Sequence, residues 1–139
     1  MSLPNLLLRD ATVQEIQLEL IRRASFNAMN GENVCASLLR HRDLWLAVLL
    51  DRPGLPDDQT PRQLLTSGLI KLRDLDQDVW NADRLFILTR TLEQARTLKA
   101  IIEEEDWGGD VWLTEDREEL DRALGIGRQE YGLVQVWWD

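Results

Sequence analysis

Arg84-Leu-Phe-Ile-Leu-Thr89 opens the C-terminal stretch, residues 84–138, on which the fold turns. Two further apolar runs follow, Val111-Trp-Leu113 and Leu133-Val-Gln-Val-Trp-Trp138. Each is short, nearly continuous and bounded by charge or turn residues, as strands buried on both faces between helices are. Two well-signalled helices separate them. Thr91-Leu-Glu-Gln94 has the form of a capping box, and Leu92, Ala95, Leu98 and Ile102 continue the apolar stripe. Trp107-Gly-Gly-Asp110 turns the chain into the second run. Thr114 can cap the next helix, whose first turn carries Glu115 and Asp116 where the dipole favours negative charge. Leu120, Ala123 and Leu124 face inward there, and Gly125 and Gly127 end it. Strands joined through helices this short want parallel, right-handed crossovers. The expectation is an α/β fold, with N-terminal helices packed on a small three-stranded, mostly parallel β-α-β-α-β sheet. It forms a single domain over 1–139, with a helical part to about residue 78 and a β-α-β-α-β part from about residue 83.

Upstream, Thr12-Val-Gln-Glu15 is another capping box, and the apolar spacing predicts a helix over about 13–29 that Asn30-Gly31 would stop. Val34, Leu38, Trp45 and Leu49 keep close to the helical period, so residues 32–50 read as one helix, or as two if Asp43 caps a second. Arg52-Pro-Gly-Leu-Pro-Asp-Asp58 is the clearest break in the chain, because both prolines lack a donor. Thr60-Pro61 then starts a third amphipathic helix, to about Leu75.

Composition bounds the function. The 139 residues carry a net charge of −9. Residues 1–70 hold seven Lys/Arg against eight Asp/Glu, and residues 71–139 hold nine against seventeen, so the C-terminal half carries −8 of it. Such a surface repels phosphate backbones and anionic headgroups, which disfavours nucleic acid and membrane as partners and favours a basic protein. Solubility alone is the plainer explanation of the charge. One cysteine, Cys35, allows no intramolecular disulfide and no cysteine-based zinc site. The N-terminus has no basic region, and no run approaches a membrane span, which points to a cytoplasmic protein.

The chemical motifs fail on inspection. His41-Arg-Asp-Leu44 copies the start of a kinase catalytic loop, but Val48 stands where the metal-binding Asn belongs. Asp74, Asp76 and Asp78 alternate like a calcium loop, yet Val79 and Leu85 occupy the glycine and glutamate positions. Gly125-Ile-Gly127 follows a helix where a dinucleotide fingerprint must follow a strand. Cys35 and His41, six residues apart on one helix, point to different faces. No catalytic constellation and no cofactor site emerges, so nothing favours an enzyme.

Two features stand above this background. Glu103-Glu-Glu-Asp106, with Trp107 and Asp110, puts carboxylates near a helix C-terminus, against the dipole. A frayed, solvated helix end explains them simply; an acidic, Trp-containing surface for a basic partner explains them functionally. The second feature is the shared carboxyl edge of parallel strands, where α/β sheets bind ligands. That edge would gather Thr89, Arg90, Thr91, Thr114 and Trp138 beneath two helix N-termini, a small-anion site. The leading expectation is a non-enzymatic interaction protein of the bacterial accessory, adaptor or immunity type. The alternative is a small-ligand or anion-binding domain, with or without catalysis. A sheet this small has two edges to cover, which makes a homodimer through the first helix or an edge strand a further expectation.

Overall fold

The computed structural model describes residues 5–52, 71–127 and 129–139. After a 3-10 turn at Leu8–Asp10 come helices α1 (Val13–Arg23) and α2 (Gly31–Arg40), and a second 3-10 turn, Arg42–Leu44, leads into strand β1 (Ala47–Asp51). Then follow β2 (Arg84–Thr89), α3 (Leu92–Glu105), β3 (Asp110–Thr114), α4 (Arg117–Leu124) and β4 (Gly132–Trp137). The four strands form one sheet in the order β1-β2-β4-β3, and every neighbouring pair is antiparallel.

This corrects the expected three-stranded, mostly parallel sheet. The runs at 84–89, 110–114 and 132–137 are strands, and β2 and β3 do run parallel to each other. They are not neighbours, however, because β4 lies between them and pairs antiparallel with both. A connecting helix of eight residues such as α4 returns the chain as readily beside its own strand as across it. Nor is the sheet buried on both faces. Burial alternates along β2 and β4, with Leu85, Ile87, Val134 and Val136 at 0% exposure and their neighbours partly open.

The second correction is β1, which sequence periodicity placed in a helix. The helix stops at Arg40 because the Trp45 indole takes the Leu38 carbonyl, its Nε1 donating at 2.8 Å. A continuing helix would have given that carbonyl to the N–H of residue 42. Arg42 stacks 3.8 Å over the Trp45 ring and donates to its carbonyl at 2.7 Å, which locks the turn. The chain then enters β1, with Leu46 N donating to Leu88 O at 2.7 Å and Leu49 exposed opposite Phe86.

The cap signals fared better. Thr12 and Glu15 exchange both capping-box hydrogen bonds, at 2.8 and 3.1 Å. Asn30 does not stop α1, which ends at Arg23; its side chain instead caps α2 by accepting from Asn33 N at 3.1 Å. Gly31 is required there, because a Cβ would lie 2.0 Å from the Ile21 carbonyl oxygen and 2.4 Å from that of Ala24. Thr91 caps α3, whereas α4 is capped by Asp116 and not by Thr114. Gly125 ends α4 with φ 73°. The Arg52–Asp58 break past Arg52 and the start of the third expected helix lie outside the described residues, and 71–75 are helical.

The helices α1, α2 and α3 share one core with the inner sheet face. Leu18, Ile21, Val34, Leu38, Leu98 and Ile102 meet Val48, Leu50, Leu85, Ile87, Val134 and Val136. Each such side chain contributes about 1.5–3 kcal/mol by leaving water. Trp138 closes one end of this core, fully buried, with its Nε1 donating to Trp107 O at 2.7 Å. Among the described residues no helix is long and apolar enough to cross a membrane.

Candidate functional site

The run Glu103–Asp106 does not act as a unit, because the end of α3 divides it. Glu105 turns toward α2, where Ser37 Oγ donates to Oε1 at 2.5 Å, Arg40 Nη2 to the same oxygen at 3.2 Å, and His41 Nε2 sits 3.0 Å from Oε2. Trp107 Nε1 adds a longer bond at 3.4 Å. Burial alone would raise the Glu105 carboxyl. The hydrogen bonds from Ser37, His41 and Trp107, with the charge of Arg40, outweigh it and hold the group below its ordinary value. Glu105 is thus a clamp between α2 and the end of α3. Trp107 likewise faces inward, 9% exposed, as part of the core.

Glu103, Glu104, Asp106 and Asp110 are exposed like Glu105 but lie outside that clamp. Glu103 meets Lys99 at 3.0 Å across one helical turn, and Glu104 has no partner among the described residues. Asp106 ends α3 in the left-handed region at φ 53°, and its Oδ1 accepts from Gly108 N at 3.3 Å. Gly109 then passes so close to β4 that a Cβ there would lie 2.7 Å from the Trp137 carbonyl oxygen. This tight turn delivers β3 to the sheet edge. Glu103, Asp106, Asp110 and Trp112 line one shallow groove of about 540 Å³ beside it.

Trp112 is the residue that sequence reasoning passed over. It is 44% exposed on the outer sheet face, and its ring stacks on Trp137 with centroids 6.2 Å apart and planes 28° from parallel. The register explains the pair: Trp112 lies opposite Gln135, so Trp137 is its diagonal neighbour on the same face. Trp137 is itself pinned, its Nε1 donating to the buried Asp83 at 3.2 Å. Strand alternation could have put both rings on one face, but only with β3 and β4 known to be neighbours.

The expected anion edge comes together only in part. Thr89 and Thr114 do lie at the same end of the sheet, with the start of β4 between them, while Trp138 lies at the opposite end. Thr89 is fully buried and donates to Thr91 O at 2.6 Å, and Thr91 accepts from Gln94 N. The Arg90 N–H goes to Gln94 Oε1 at 3.1 Å, with its side chain exposed. Thr114 accepts from Gln135 at 3.4 Å. The space above Gly132 is full, since a Cβ there would lie 2.6 Å from Ala95 Cβ and from Thr89 Oγ1. The three threonines are thus engaged within the protein, while the Arg90 guanidinium has no partner among the described residues.

Nucleophilic chemistry finds no better footing. Burial first, and then the charge of Glu19, push the Cys35 thiol up, so it stays protonated at neutral pH. Among the described residues no three His, Cys, Asp or Glu side chains are grouped to hold a metal ion. Comparison with protein-family models, curated proteins and solved structures finds no match.

Proposed function

We propose that this chain is a non-enzymatic interaction protein that binds a basic protein partner along the groove beside β3. The observation that carries the reading is the coincidence of Glu103, Asp106, Asp110 and a half-exposed Trp112 along one groove. Carboxylates attract a basic segment and set its rate of encounter, while an aromatic anchor holds it by area and by contact of cations with the ring face. Trp107, largely buried, lines the inner wall of the same groove, and Glu105 turns away from it toward α2. The anion-edge alternative has no comparable support, because its threonines are already paired.

The test uses short Lys-rich and Glu-rich peptides, with fluorescence anisotropy at low and high salt. The Lys-rich peptide binds, and binding weakens with salt. Charge reversal by Glu103→Lys with Asp110→Lys lowers affinity about tenfold at low salt. Glu105→Gln, drawn from the same acidic run, leaves affinity unchanged while costing about 1–2 kcal/mol of stability, because the buried Ser37 hydroxyl loses its anionic acceptor. Equal binding of both peptides, or no effect of charge reversal, would sink the reading.

A further inference from the structure

We infer that the free edge of β3 takes up an extended basic segment of the partner as a fifth strand, antiparallel or parallel to β3. This rests on the interaction reading above and specifies how the partner is held.

The sheet has two edges, β1 and β3. The outer side of β1 is occupied: Gln14 Nε2 donates to Val48 O at 3.1 Å, and its Oε1 accepts from Val48 N at 2.9 Å. Gln17 Oε1 accepts from Leu50 N at 3.4 Å. Along β3 every ladder partner is on β4, and among the described residues no other hydrogen bond reaches the backbone of 110–114. Backbone N–H and C=O groups left in a row are a template for another strand.

Charge selects the occupant. Glu103, Asp106 and Asp110 flank the edge at one end, and Glu115 and Asp116 follow it at the other. The cation nearest in sequence, Arg117, is engaged with Asp121 and the Tyr131 carbonyl, and upstream Lys99 pairs with Glu103 and Arg96 with Glu115. A second copy pairing antiparallel about Trp112 would set Asp110 opposite Thr114 and beside Glu115 of the copy, like charges at close range. A strand alternating Lys or Arg with β-branched residues meets the opposite condition. Its outward side chains fall on the Trp112–Trp137 face, where a cation can sit over a ring.

The experiment titrates the full chain with a peptide alternating Lys with Val and Thr. Two further versions are N-methylated on one or the other alternate set of backbone amides. The readouts are affinity and amide hydrogen exchange. Strand addition predicts that amides within 110–114 gain protection, and that only one methylated set loses affinity, by about tenfold or more. If the peptide binds but both methylated versions bind equally and β3 amides exchange unchanged, strand addition is overturned and the acidic-groove reading stands. If no version binds, both fail. If β3 protection arises without peptide and tracks a doubling of mass with concentration, the occupant is a second copy and the inference is wrong.

Discussion

At β1 a helix supplies what a neighbouring strand would have supplied; at β3 nothing among the described residues does. Gln14 imitates one residue of a missing strand by offering Val48 both a donor and an acceptor. Gln17, three residues on, lies on the same helical face and reaches Leu50, two residues on. The mismatch is geometric: three helical residues rise about 4.5 Å while two strand residues span about 6.8 Å. The second bond is accordingly the longer, at 3.4 Å against 2.9 Å. Side-chain amides can therefore close about one pair of strand positions well, which suffices for a five-residue edge. The β3 edge has the same length, but an acidic rim and an aromatic pair in place of a cover. On the proposed reading, charge there repels a copy of the chain while the backbone stays open to a basic strand.

The contrast can be broken from the closed side. The largest effect is expected of Gly31→Ala, which drives a methyl group into the Ile21 and Ala24 carbonyls and pushes α1 off α2. Backbone atoms cannot rotate away, so the cost should approach about 3 kcal/mol, read from denaturant midpoints at unchanged m. Moving α1 also lifts both glutamines from β1, so faster exchange of the Val48 amide should accompany the loss. A variant as stable as the parent would show that the helices are not so closely packed. Gln14→Ala is milder and more direct. Losing two hydrogen bonds on a partly buried edge costs about 1–2 kcal/mol, because water can replace them. It also leaves the Val48 N–H and C=O on the edge without their side-chain cover. Mass by light scattering should then rise with concentration in the variant alone; a variant that stays monomeric would mean that Gln14 is not what closes the edge.

What could be read from sequence was local. Thr12 with Glu15, and Thr91 with Gln94, announce helices because the capping partners lie three residues apart. The runs around Phe86, Trp112 and Gln135 announce strands by composition. Strand direction was out of reach, since it depends on β4 entering between β2 and β3, and no residue in α4 encodes that choice alone. β1 was hidden because Trp45 and Leu49 happen to continue the phase of Val34 and Leu38. The residue that breaks the phase is Trp45, through a hydrogen bond from its indole, not through its hydrophobicity. Glu105 was indistinguishable from Glu103 and Glu104, because its partner Ser37 lies 68 residues away.

Helix α1, which supplies the two glutamines, also has an electrostatic component of its own, the smallest of these effects. Glu19 in α1 accepts from Arg22 Nε at 2.7 Å and from Arg23 Nε at 2.8 Å, one turn along the helix. The Arg22 hydrogen bond is the largest influence; with Arg23 it overcomes burial and lowers the Glu19 carboxyl to about 2. A carboxyl whose folded pKa is depressed stabilises the fold fully above its unfolded value, near 4.5. That share is lost as pH falls from there toward about 2. With the side chain 34% exposed, solvent screening keeps the contribution below about 1 kcal/mol. Glu19→Gln should therefore cost little at neutral pH, and parent and variant should converge in stability through the acid range. Because Glu105 is also held low, each protein keeps an acid-dependent limb of its own, and only the difference between them reports Glu19. A difference that stayed constant from neutral pH down to pH 2 would mean that the Arg22 and Arg23 contacts contribute nothing to the stability of the fold through Glu19.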